Sequence, residues 1–386
     1  MALYRINIPA SLFIGAGAVE RVSPQAARLG MKRVLIVSDP AMVQSGRPGQ
    51  VVDLLNAAGL EAVVYGHVQP DPTDQNVHEG LHMLREHRCD GLVAIGGGSS
   101  IDAAKGIAVM ATNTGDLPDY MGYDKIPRAG LPLIAIPTTA GTGSEVTKVA
   151  IITDTQRDVK MMMLDPHLLP TAALVDYTLT FTMPKPLTAH VGVDTLTHAI
   201  EAYVSRKANP MTDVIALSAV RLVGQHLRAA WEQPDNAPAR EGMMLAATQG
   251  GMAFSNSSVC LVHGMSRPIG ALFHLPHGLS NAVLLPAVTR FSLSGAPERY
   301  AKVARTLGVA GETESVAAAG RKLIDALERL NADLGIPRLS ACNIPHDRFE
   351  AALENMTADA FASGSPQNNP RVPTPEEMMA LYREAY

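Results

Sequence analysis

Four residues of this chain have the types and spacing to hold a divalent metal. Asp194 and His198 stand four apart in GVDTLTHAIEAYVS, within a stretch whose pattern predicts a helix over Leu187–Ser205. That spacing sets both side chains on one helical face, with about 5–6 Å between Cβ atoms, close enough to share an ion. His263 and His277 follow in VHGMSRPIGALFHLPHGLSNAVLLP. One carboxylate and three imidazoles make a nitrogen–oxygen set without thiolate, suited to iron(II), zinc, nickel or manganese. The plainer reading is an ordinary hydrogen bond for the Asp–His pair and a helix end for His274, Pro276, His277 and Gly278; spacing leaves both open. His190, His226 and His346 read as structural or surface histidines.

A second chemistry is written in glycines. Ile95-Gly96-Gly97-Gly98-Ser99-Ser100-Ile101-Asp102 falls where an apolar strand ends and a helix begins. Glycines let the backbone turn tightly and let a ligand approach the amides, and the unpaired N–H groups of a helix start favour phosphate. Ser99 is placed to cap that helix, with Asp102 in the capping-box position. GGGSS is not the GxGxxG dinucleotide fingerprint, so the motif speaks for phosphate and not for one ligand. Asp39 follows a strand directly, where its carboxylate can accept from both ribose hydroxyls of an adenosine and repel a 2′-phosphate. It serves equally as a turn residue before Pro40. The loop PTTAGTGSE, with Thr138, Thr139 and Thr142, follows another strand and points to the same crevice.

These groups need elements to hold them. Arg33–Val37, Ala62–Tyr65, Gly91–Ile95 and Leu133–Ile136 read as strands, alternating with helical patterns over Pro48–Ala58, Thr73–His87 and Ile101–Met110. Such alternation predicts right-handed βαβ units and a mainly parallel sheet. After about residue 180 the period is helical nearly everywhere, as in Val214–Leu227 and Val316–Leu330. The expected architecture is an α/β amino-terminal dinucleotide-binding domain, residues 1–183, and an all-α carboxy-terminal metal-binding and catalytic domain, residues 184–386.

Composition narrows the classes. With 386 residues, 47% hydrophobic and 18% charged, the chain is neither disordered nor fibrous. Thirty-two Lys and Arg against thirty-seven Asp and Glu, with no basic run, weigh against a nucleic-acid partner. No apolar stretch approaches the roughly 20 residues of a membrane helix. Cys89, Cys260 and Cys342 are far apart and odd in number, which argues for a reducing compartment. The start MALYRINIPASLFIG shows no signal-peptide pattern and reads as mature protein, so the expected location is the cytoplasm.

Taken in order, these motifs resemble the iron-dependent (group III) alcohol dehydrogenase family, which includes lactaldehyde reductase and 1,3-propanediol dehydrogenase. The resemblance runs from GAGAVE at Gly15–Glu20 through GGGSSIDAAK at Gly96–Lys105 and PTTAGTGSEVT at Pro137–Thr147. It continues through Gly192–Ser205 and His263–Pro286 to NPR at Asn369–Arg371. It implies Asp194, His198, His263 and His277 as ligands of iron(II), with zinc or nickel able to replace it. It implies NAD at Asp39, Gly97, Gly98, Ser99, Asp102, Thr138, Thr139, Thr142 and Lys160. It further implies hydride transfer with a small alcohol, diol or aldehyde, in a homodimer or larger homo-oligomer.

Two positions depart from the family pattern. Asp71 stands where Asn is common, so that contact is not carried over. Arg267 stands where many members carry a histidine beside the metal, and His274 is a further histidine nearby whose place in the pocket is open. A guanidinium cannot serve as a base near neutral pH, but it can clamp an anionic substrate. The favoured alternative is that Arg267 pairs with a carboxylate and leaves a preference for short neutral alcohols. Two rival enzymes share the expected fold: a dehydroquinate-synthase-like lyase and a metal-independent maleylacetate-type reductase. The Asp-plus-three-His set argues against both.

Overall fold

Apolar side chains alternate along the amino-terminal strands, and the alternation sorts them onto two faces of one sheet. The computed structural model describes residues 3–157 and 159–386. Its strands are β1 (Ser11–Ile14), β2 (Arg33–Val37), β3 (Glu61–Tyr65), β4 (Gly91–Gly96), β5 (Gly122–Tyr123), β6 (Leu133–Pro137), β7 (Val149–Asp154), β8 (Val159–Leu164) and β9 (Ala172–Val175). Six of them form a sheet in the order β1-β9-β6-β4-β2-β3, every pair parallel.

One face carries Val34, Ile36, Val93, Ile95, Ile134 and Ile136, packed with Val22, Ala26, Val51 and Leu55. The other carries Leu35, Val37, Leu92, Ala94, Leu133 and Ala135, packed with Val77, Leu81, Ile101 and Ile107. Burial of each such large side chain contributes about 1.5–3 kcal/mol, which fixes the register, because a one-residue slip would exchange the two faces. The four expected strands are β2, β3, β4 and β6. Sequence reading did not single out β1 and β9, which are four residues each. It also missed the antiparallel pair β7–β8, which joins β5 in a second sheet. The methionines Met161–Met163 of β8 are unbranched and carry little strand signal.

The helix after β4 begins earlier than expected, at Gly98, and runs to Met110. Gly97 holds the cap position in extended conformation with no side-chain cap bond, so the expected Ser99–Asp102 capping box does not form. A capping box does form at Thr73, whose side chain accepts from the Asn76 amide at the start of the Asp74–Glu86 helix.

The chain divides into two compact units, Arg5–Phe181 and Thr182–Tyr386, the latter joined by Leu3 and Tyr4. The second unit is helical. Its first five helices are Lys185–Val204, Pro210–Glu232, Ala237–Ser255, Leu261–Phe273 and His277–Ser292. The helix Lys185–Val204 is buried at every residue from Val191 to its end. Two neighbours approach it closely: Gly192 lies against Leu227, and Gly250 against the Cβ of His198. Among the described residues no helix is long and apolar enough to cross a membrane.

Candidate metal centre and glycine-rich loops

Three helices of the second unit bring four donor side chains to one point. Asp194 and His198 come from the Lys185–Val204 helix, His263 from the first turn of Leu261–Phe273, and His277 from the first residue of His277–Ser292. Each offers one donor atom, and these atoms all lie within 4.8 Å of one another. Asp194, His198 and His263 are buried, whereas the His277 side chain keeps 34% of its surface. The three rings pack in a row, with His198 stacked between Phe254 and His263 and His263 tilted against His277.

The local charges ask for a cation. Burial alone would raise the carboxyl of Asp194, but His198, His277 and His263 hold it well below the usual carboxylate range. Burial would likewise lower His263, yet Asp194 and Glu201 raise it to about 9, so the pocket draws in positive charge. The Asn281 amide nitrogen donates to Asp194 Oδ1 at 2.7 Å and lies 3.1 Å from Nε2 of both His263 and His277. Three of the four donors thus converge on one amide nitrogen. A nitrogen–oxygen donor set without thiolate, closing on a single point, fits a divalent metal.

The structure does not add His274 to this group. His274 is exposed and ends the Leu261–Phe273 helix in the left-handed conformation, φ 54°. Arg267 is half-buried, one turn beyond His263 on the same helix.

In the first unit the two glycine-containing loops touch. A Cβ on Gly98 would come within 2.9 Å of Thr142 Cγ2, and one on Gly97 would meet Thr139 at 3.5 Å. The Thr138 amide donates to the Gly96 carbonyl at 2.9 Å. Gly96 is the position that requires glycine: its φ is 154°, and a Cβ would overlap Ser100 Oγ. The half-exposed Gly97, Gly98 and Ser99 open the uncapped helix start. Asp39 borders them, accepting from the Met42 amide at 3.0 Å and from Ser100 Oγ at 3.3 Å.

Behind the loops lies a buried polar cluster that sequence reading overlooked. Lys105 Nζ donates to Ser144 Oγ at 2.8 Å, Thr147 Oγ1 at 3.0 Å and the Val149 carbonyl at 2.6 Å. Asp102, 3.6 Å from that ammonium, accepts from Ser144 Oγ and from the Ile151 amide. Lys160 stands apart on β8, paired with Asp71 at 2.9 Å.

Sequence reading also missed Glu201 and Asn281 beside the four donors. Glu201 could have been found, because it continues the Asp194–His198 face one turn further. Asn281, four residues after His277, follows the same rule.

The first unit thus presents a parallel sheet with phosphate-type loops, and the second a helical unit with a metal-type donor set. The family model described as iron-containing alcohol dehydrogenase matches residues 9–177. The model of the C-terminal part of the Fe-containing alcohol dehydrogenase family matches residues 188–386. The chain belongs to the iron-containing alcohol dehydrogenases. It is 40% identical to the NAD-dependent methanol dehydrogenase of Bacillus methanolicus, over 98% of each chain. It is 38% identical to the 1,3-propanediol dehydrogenase of Citrobacter freundii, again over 98% of each. Among solved structures, a crystal structure of 1,3-propanediol oxidoreductase matches with TM-score 0.96 and 37% identity, covering 100% of both chains. The expected fold class is borne out, and neither the lyase nor the metal-independent reductase gains support.

Proposed function

We propose that this enzyme transfers a hydride between a small alcohol or diol and NAD, with Asp194, His198, His263 and His277 holding iron(II) and zinc or nickel able to replace it. The observation that carries this reading is the convergence of the four donors. When bound, the metal supplies Lewis acidity toward the substrate oxygen and the nicotinamide supplies the hydride acceptor or donor. The chain's own task is placement. Gly97, Gly98 and Ser99 offer helix-start amides to the pyrophosphate, Thr138, Thr139 and Thr142 enclose the dinucleotide from the facing loop, and Asp102 and Lys160 border it. Residues 1–183 form the dinucleotide part and residues 184–386 the metal and catalytic part of a cytoplasmic homodimer or larger homo-oligomer.

Metal-stripped protein reloaded with iron(II), zinc or nickel tests the reading, using NADH formation from short alcohols and diols. Each neutral substrate is paired with a counterpart bearing a carboxylate. NADH formation that depends on the metal and favours the neutral member is expected. Faster turnover of the acidic member that is lost in Arg267→His would assign Arg267 as an anion clamp. No NADH from any alcohol under any metal would overturn the proposal.

Asp39 sets the choice between cofactors in this reading. Asp39→Gly removes the charge that repels a 2′-phosphate and the acceptor for the ribose hydroxyls. The NADP-to-NAD ratio of kcat/KM should rise by about tenfold or more, each tenfold being about 1.4 kcal/mol. The substitution also removes the side-chain cap of the Pro40–Gln44 helix, costing only a few tenths of a kcal/mol of stability because glycine is itself tolerated at a cap. An unchanged cofactor ratio would remove Asp39 from this role.

A further inference from the structure

The carboxylate of Glu201 is buried, with 4% of its side chain exposed, and it is not one of the four donors. It projects from the same helix as Asp194 and His198, three residues beyond His198. Oε1 accepts from the Val262 amide at 2.6 Å. Oε2 accepts from the Cys260 amide at 2.8 Å and meets His263 Nδ1 at 2.7 Å.

Two consequences follow from that one carboxylate. The Leu261–Phe273 helix has no side-chain cap of its own at Cys260, so Glu201 satisfies amides at its start and places negative charge at the positive end of its dipole. With two backbone N–H groups already donating to it, the carboxylate faces the His263 ring as an acceptor. Nδ1 therefore carries the proton, and Nε2 is left on the side of Asp194, 3.5 Å from Oδ1. A neutral ring in that tautomer presents its one lone pair toward the other donors.

We propose that Glu201 is a positioning residue of the metal centre, fixing both the helix start that carries His263 and the ring tautomer that leaves Nε2 free to bind the ion. The proposal rests on the four-residue centre proposed above. A carboxylate hydrogen-bonded to the far nitrogen of a ligating histidine holds the ring in orientation and makes it a stronger base; loss of such a partner costs about 10–100-fold in metal affinity.

The test uses metal-stripped, full-length protein, cobalt(II) as the probe, and a competing chelator to read affinity. Glu201→Gln keeps the shape and one acceptor but removes the charge. Its cobalt affinity should fall about 10–100-fold, and the visible bands of the bound cobalt should change as the His263 ring loses its anchor. The melting temperature of the metal-free protein should move by only a few degrees. Glu201→Asp keeps the charge one methylene further back and should recover part of the affinity. An affinity within twofold of the original in Glu201→Gln, with unchanged bands, would overturn the proposal. Equal affinity losses in both variants that track equal losses of melting temperature would overturn it too, leaving a packing role. Where Glu201→Gln does not fold, Glu201→Asp decides alone: unchanged bands and affinity sink the idea. Failure of the centre itself looks different, because then the unaltered chain would not take up one cobalt, or His263→Ala would bind as it does.

Discussion

Asp194→Ala should leave a folded protein that binds NAD but has lost metal and turnover together. Asp194 is the anion of the donor set, and His198, His263 and His277 all lie near its Oδ1, at 3.9, 3.5 and 4.0 Å. Without it, three neutral imidazoles remain, a weaker site for a hard cation such as iron(II). Loss of a Lewis acid worth several kcal/mol corresponds to a fall in kcat/KM of about a thousandfold or more. Metal content by elemental analysis and NAD affinity by calorimetry separate the two functions. Metal content near zero with NAD affinity within about twofold of the original is the expected pair of readings. Full turnover by the variant, or by thoroughly chelated protein, would make the metal dispensable.

The second large effect is expected in the other unit, at Lys105. Its ammonium has three N–H donors and all three are used. Burial lowers its pKa, and Asp102 and Glu145 pull it back up; burial raises Asp102, and Lys105 pulls it down. Each charge is thus tolerated through the other. Lys105→Met keeps the length of the side chain and leaves Asp102 without its partner. Breaking one side of a buried pair costs about 3–5 kcal/mol. Urea unfolding should show that loss in the Arg5–Phe181 unit, and NAD affinity should weaken because Ser144, then held only by Asp102, anchors the threonine loop less firmly. Adding Asp102→Asn to the same chain should return part of the stability, since neither charge is then stranded. A loss under 1 kcal/mol in the single variant would show that the cluster does not hold the loop.

Legibility in the sequence followed the range of the interactions. The strands β2, β4 and β6 were readable because β-branched runs buried on both faces need no distant information. The Asp194–His198 pair was readable because helical spacing is local. His263 and His277 were suggested by residue type and joined to Asp194 and His198 only through the family motifs, since nothing in spacing says that three helices meet. The cap at Ser99 was misplaced by two residues: the helix starts at Gly98, with Gly97 at the cap in an extended conformation that carries no side-chain signal. The cluster at Lys105 joins residues about forty positions apart, and Glu201 meets His263 from sixty-two away. Periodicity carries no trace of such pairings.

The burial of the Lys185–Val204 helix has a consequence for how the chain is made. An ordinary surface helix leaves the ribosome with a wet side and a dry side and can rest its dry side on whatever has already folded. This one has no wet side from Val191 to Val204. It is enclosed by Pro210–Glu232, Ala237–Ser255 and His277–Ser292, all synthesised after it. Until the last of them emerges, an apolar rod carrying two carboxylates and an imidazole stays uncovered, the kind of nascent surface that aggregates or recruits chaperones. Premature termination anywhere in this stretch therefore releases a sticky fragment rather than a smaller working protein.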